Sequence, residues 1–68
     1  MADEPLAEGA QGDAVKALQT ALNAKGATLA VDGVFGPHTA KAVKNFQTDN
    51  ALHVDGVVGP ETEKALHA

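Results

Sequence analysis

The sequence predicts an all-α fold, a compact three-helix orthogonal bundle, and three observations predict it. Apolar residues recur at helical spacing in two stretches, a turn-then-helix unit occurs twice, and the segments left over are too short for a sheet of any size. In chain order, residues 1–5 read as an N-terminal tail or linker end, and residues 6–68 as one domain. Met1 to Pro5 has neither the basic start nor the apolar run of a signal peptide.

The first helix is expected within Gly12 to Gly26, about twelve residues long, because Val15, Leu18 and Leu22 share one face. Asp13 is its expected cap and Gly26 its stop. Then comes the repeat. Val31 to Val43 recurs 23 residues later as Val54 to Leu66, with nine of thirteen positions identical. In each copy an Asp-Gly pair (Asp32-Gly33, Asp55-Gly56) suits a turn in which the carboxylate accepts from a nearby amide and the glycine supplies backbone angles closed to other residues. The following Gly-Pro pair starts a helix, since proline at the first helical position loses only an amide that would be unpaired anyway. The second helix is expected from Pro37 to Asn50, with Thr39, Ala42, Val43 and Phe46 on its inner face. The third is expected from Pro60 to His67, burying Ala65 and Leu66.

Composition narrows the chemistry. Of 68 residues, fifteen are large apolar side chains available for a core (Val 7, Leu 6, Phe 2), and there is no Cys, Ser, Trp, Tyr or Arg. Disulfides, a thiolate zinc cage and a Ser or Cys nucleophile are thereby excluded. Five Lys against nine acids leave a net charge of −4, which argues against a helix-turn-helix DNA binder, since phosphate contact needs a basic face. The Asp and His residues lack metal-ligand spacing, and Asp-Gly-x-x-Gly-Pro lacks the alternating oxygens of a calcium loop, so neither metal nor cofactor nor catalysis is expected. No apolar run reaches membrane-spanning length.

The combined pattern resembles the peptidoglycan-binding domain family. It comprises Gly9 and Gly12, then Val15, Leu18-Gln19 and Leu22, then Asp32-Gly33-Val34-Phe35-Gly36, Thr39, Ala42-Val43 and Phe46-Gln47, and finally Leu52, Asp55-Gly56-Val57-Val58-Gly59, Thr62 and Leu66. The two turns at their set separation, each with its Thr and preceded by an apolar-Gln doublet, make the match specific. The resemblance implies a non-enzymatic module, expected to be a monomer, that holds a covalently linked hydrolase or phage lysin against the glycan strands or stem peptides of the wall. It also implies an extracytoplasmic, secreted or wall-associated location. Members commonly carry aromatic residues where this chain has Ala27 and Glu63, so stacking on a sugar face is not the expected mode here. The same fold resembles the start of matrix metalloproteinase pro-segments, which leaves a spacer or protein-docking module as the alternative.

Candidate ligand contacts are then the polar groups Gln19, Asp32, Thr39, Gln47 and Asn50, lining a shallow groove beside the first Asp-Gly turn, together with the Phe35 ring. A primary amide both donates and accepts, as the acetamido and peptide groups of the wall require. Each residue also has a structural reading. Gln19 and Gln47 suit bonds to loop amides, Asp32 and Asp55 suit turn-making, Thr39 and Thr62 suit bracing, and Phe35 suits the core with partial exposure at a groove floor. Asn50, in the region that turns back toward the second Asp-Gly loop, is expected to reach a ligand bound there. Asn23, Asn45 and Asp49 read as solvated or helix-end residues, and Lys41 with Lys44 as a small positive patch or a solvated face.

Overall fold

The computed structural model describes residues 5–67, so all of the expected tail except Pro5 lies outside the described residues. Three helices follow one another: α1 (Asp13–Ala24), α2 (Pro37–Asp49) and α3 (Pro60–Leu66). Among the described residues there is no strand, only two isolated antiparallel bridges, Leu6 with Val58 and Gln11 with Val34. No described helix is long and apolar enough to cross a membrane.

Val15, Leu18 and Leu22 are buried on α1 as their spacing requires, with Gln19 among them. The cap differs from expectation. Gly12 is the N-cap, at φ +122, and Asp13 is the first helical residue with no side-chain capping bond. A left-handed φ suits glycine, and Asp13 instead places its charge near the free amides of the first turn. At the far end Gly26 does stop the helix: its amide bonds Asn23 O at 3.1 Å and that of Ala27 bonds Leu22 O at 3.1 Å, the paired bonds of a Schellman ending.

Proline opens both later helices, behind Gly36 and Gly59. On α2 the buried face is Thr39, Ala40, Val43, Phe46 and Gln47. Ala42, expected inward, is only half-buried, because the stripe is centred on Val43 and Ala42 lies to one side of it. Both α2 and α3 end one residue earlier than expected, with Asn50 and His67 as C-caps. Leu66 is buried and Ala65 half-buried.

Phe35 and Val58, equivalent residues of the two repeats, leave the loops to complete a core formed by Val15, Leu18, Leu22, Ala40, Val43, Phe46 and Leu66. Each is 1 % exposed, and burying such a side chain stabilises by about 1.5–3 kcal/mol. The segment before α1 ties the loops together. Leu6 exchanges backbone bonds with Val58 at 3.1 and 2.7 Å, and further along Gly9 donates to Phe35 O at 2.9 Å while Ala10 O accepts from the Phe35 amide at 2.9 Å.

Candidate functional site

Two buried glutamines organise the two loops in the same way. Gln19 Nε2 donates to Asp32 Oδ1 at 3.0 Å, Val34 O at 3.0 Å and Thr39 Oγ1 at 3.1 Å, while its Oε1 accepts from the Gly33 amide at 3.0 Å. Gln47 Nε2 donates to Asp55 Oδ1 at 3.0 Å, Val57 O at 2.9 Å and Thr62 Oγ1 at 3.1 Å, while its Oε1 accepts from Gly56 at 3.0 Å. Each Asp completes its turn by accepting the amide two residues on, Val34 at 3.0 Å and Val57 at 2.9 Å. Those amides, and next the glutamine side chains, hold both carboxyls below their ordinary value of 3.8, against a smaller opposing desolvation.

The duplication therefore reaches upstream of the turn. Val15-Lys16-Ala17-Leu18-Gln19-Thr20 on α1 matches Val43-Lys44-Asn45-Phe46-Gln47-Thr48 on α2. Thr20 bonds Lys16 O at 2.9 Å and Thr48 bonds Lys44 O at 3.0 Å. Lys16 and Lys44 lie over Gly33 and Gly56, where an added Cβ would come within 3.2 and 3.0 Å of their side chains. Helix α2 serves both corners, lending Thr39 to the first and Gln47 to the second.

The corners differ in span, and at the second the Asp55 amide also donates to Gln47 Oε1, at 3.2 Å. Gln19 and Asp32 are thirteen residues apart, Gln47 and Asp55 only eight. The extra length forms an arm after α1 that Asn23 clamps, its Nδ2 donating to Leu29 O at 2.9 Å and its Oδ1 accepting from the Leu29 amide at 2.7 Å. Arm and α2 enclose an open groove of about 980 Å³. Its arm wall is Lys25 to Ala30, its near end Asp32, Val34 and His38, and its helix wall Lys41, Ala42, Asn45, Phe46, Asp49 and Asn50. A smaller hollow of about 250 Å³ sits against the second corner, beside Gln47, His53, Asp55 and Glu61.

Gln19, Asp32, Thr39 and Asn50 line the large groove, while Gln47 lines the small hollow. Gln19 and Gln47 are each 1 % exposed and Thr39 3 %, so they support these surfaces from beneath. Phe35 is in the core and lines neither hollow. Asn50 is exposed and bonds Phe46 O at 2.9 Å, on the large groove rather than toward the second loop. Lys41 faces the groove whereas Lys44 is laid over Gly56, which divides the expected positive patch. Of the helix wall, sequence reasoning named only Asn50 as a contact. Lys41, Asn45 and Asp49 at four-residue intervals were a visible stripe, indistinguishable from a solvated face until the arm closes over it.

The family model described as a peptidoglycan binding domain matches residues 11–66. A zinc D-Ala-D-Ala carboxypeptidase of Streptomyces albus G is 48% identical over 46 residues, which are 63% of this chain and 18% of that protein, so the chain spans under a fifth of this curated relative. The crystal structure of the SleB N-terminal domain superposes with a TM-score of 0.94 at 40% identity, covering 98% of this chain and 93% of that one. An endolysin of Burkholderia AP3 phage superposes with a TM-score of 0.93 at 40% identity, covering 96% of this chain and 25% of the endolysin.

Proposed function

Because this chain belongs to the peptidoglycan-binding domain family, we propose that its groove holds the wall polymer and that the domain is a non-catalytic anchor for a linked hydrolase or lysin. The groove between the arm and α2 carries this reading: it is long, open and lined by amide, hydroxyl and charged groups alongside Ala and Leu. Such a mixed surface suits a polymer rich in acetamido and peptide groups. Asp32 and Asn50, together with Lys41, Asn45 and Asp49, are its contact residues, and Gln19, Thr39 and Gln47 act by holding the corners that shape it.

The Asp32 and Asp55 carboxylates are committed to turn amides, which supports an anchoring rather than a chemical role. A weak contact suffices in that role, since tethering to a catalytic domain makes the second encounter intramolecular, at an effective concentration near millimolar for short linkers. The domain acts as a monomer, outside the cytoplasmic membrane, where its polymer is. One observation favours a spacer or protein-docking module instead. Phe46, the ring that lines the groove, is only 7 % exposed and offers no platform for a sugar face. The test is sedimentation of labelled domain with insoluble peptidoglycan against cellulose and chitin. Co-sedimentation with peptidoglycan alone, with amide shifts along residues 25–50 on adding soluble fragments, supports the anchor; no sedimentation and no shifts would leave the docking module.

A further inference from the structure

The charges on the helix wall of the groove are ordered, Lys41 before Asp49, with Lys25 and Asp32 on the facing arm and loop, and the order runs against the needs of the helix that carries them. On α2, His38 stands in the first turn, Lys41 follows, and Asp49 is the last residue. A helix favours acids at its amino end and bases at its carboxyl end. Neither other helix ends on an acid: α1 opens on Asp13 and closes on Asn23 and Ala24, and α3 has Glu61 and Glu63 in its first turn and Lys64 in its last. At equivalent positions of the duplication, His38 corresponds to Glu61 and Asp49 to Ala21. Among the three helices, only the one that walls the groove ends on an acid, and breaks of this kind concentrate at functional sites.

Lys41 and Asp49 are two turns apart, about 12 Å along the axis at 1.5 Å per residue, with Asn45 between them on the same wall. A cation, an amide and an anion in line fit a short peptide carrying a carboxylate at one end and an amine at the other. We propose that the groove selects the un-cross-linked wall peptide, its free amine facing Asp49, its free carboxylate facing Lys41 and a peptide group on Asn45. Cross-linking transfers a carbonyl of one stem peptide to the amine of another, with the donor's terminal residue or water leaving, so each joined peptide loses one of the two charges, and the glycan backbone offers no such pair. The proposal rests on the wall-binding reading above and goes further in naming the component held.

The probes are a muramyl tetrapeptide with lysine as its third residue, its Nε-acetyl derivative, its C-terminal amide, and chitotetraose, each titrated by amide shifts against the wild-type chain, Asp49→Asn and Lys41→Gln. The free tetrapeptide is expected to bind about 2- to 5-fold better than the acetylated one, the span of an exposed charge pair, and Asp49→Asn is expected to abolish that preference. Lys41→Gln is expected to abolish the preference for free acid over amide. Asp49→Asn should at the same time raise Tm slightly, by about 2 °C, which separates lost recognition from lost structure. Equal binding of free and acetylated peptides, an unchanged preference in Asp49→Asn, or tight binding of chitotetraose alone overturns the proposal and leaves wall binding standing. Failure of every probe and of insoluble peptidoglycan overturns both.

Discussion

Gln19 Nε2 and the Val34 amide converge on one oxygen, Asp32 Oδ1, each at 3.0 Å, and Gln47 with the Val57 amide does the same at Asp55 Oδ1. Each glutamine thereby links a helix, a turn and the first turn of the next helix. Among the described residues no buried side-chain polar atom lacks a partner, so truncation at either site strands several. Gln47→Ala leaves the Gly56 amide, Val57 carbonyl and Thr62 hydroxyl without the bonds they now make. The expected cost is about 2–4 kcal/mol, and a fall in Tm of about 10 °C or more in a domain of this size. Thermal unfolding followed by circular dichroism measures it; a Tm within a degree of wild type would remove the glutamine from the scaffold.

The same geometry sets an acid dependence. Turn amides and glutamine side chains hold both Asp32 and Asp55 below their ordinary value of 3.8 in the folded chain. A carboxyl lowered by folding contributes stability that is present above its unfolded value and lost as pH falls through the folded one. Stability in urea is therefore expected to be level from pH 7 to about 5 and to decline below about 4. Asp32→Asn/Asp55→Asn keeps an oxygen for each turn amide but has no proton to gain, so its profile should be flatter over the acid interval. A double variant that declines as steeply as wild type would place the acid sensitivity elsewhere.

Gly26 and Ala51 hold the same position, the residue past the cap of α1 and of α2, and both have positive φ, +111 and +57. Both helices end in the same pair of bonds, for α2 from Ala51 to Thr48 O at 3.2 Å and from Leu52 to Gln47 O at 2.8 Å. A side chain in the left-handed region costs about 1–2 kcal/mol, and glycine's greater freedom in the unfolded chain returns part of that. Ala51→Gly is expected to stabilise by about 0.5–1 kcal/mol and Gly26→Ala to destabilise by at least as much. Chemical denaturation of the two variants tests the pair, and a loss of stability in Ala51→Gly would refute the strain.

Much of the frame was legible because its signals are local. Asp-Gly turns, Gly-Pro helix starts and the apolar face of α1 each rest on neighbours a few residues apart, and all appear where the chain places them. The Gln19 and Gln47 doublets were visible as a repeated pattern, but their two possible roles are separated only by burial. Asp13 outranked Gly12 as a cap because side-chain chemistry is readable and a backbone angle of +122 is not. The groove was the least legible part. It depends on an arm of ordinary residues, Ala27 to Ala30, with no motif of its own, and on Asn23 reaching six residues ahead to Leu29.

That clamp yields the sharpest test of how the groove is built. Asn23 uses both ends of its side-chain amide on one residue, donating to Leu29 O at 2.9 Å and accepting from Leu29 N at 2.7 Å, as a neighbouring strand would. The second corner has no such arm, since only eight residues separate Gln47 from Asp55. Asn23→Ala should therefore free the arm while leaving the Gln19 and Gln47 corners closed. Two part-buried bonds at about 0.5–1.5 kcal/mol each set the expected loss of stability at about 1–3 kcal/mol. Hydrogen exchange gives the spatial readout: the Leu29 amide should lose its protection, and the Gly33 and Gly56 amides should keep theirs relative to global unfolding. Affinity for insoluble peptidoglycan should fall with it, because one wall of the groove is then unfixed. If Leu29 exchanges as slowly in the variant as in wild type, the arm is held by the half-buried Ala27 and Leu29 side chains against the core, and Asn23 merely follows it.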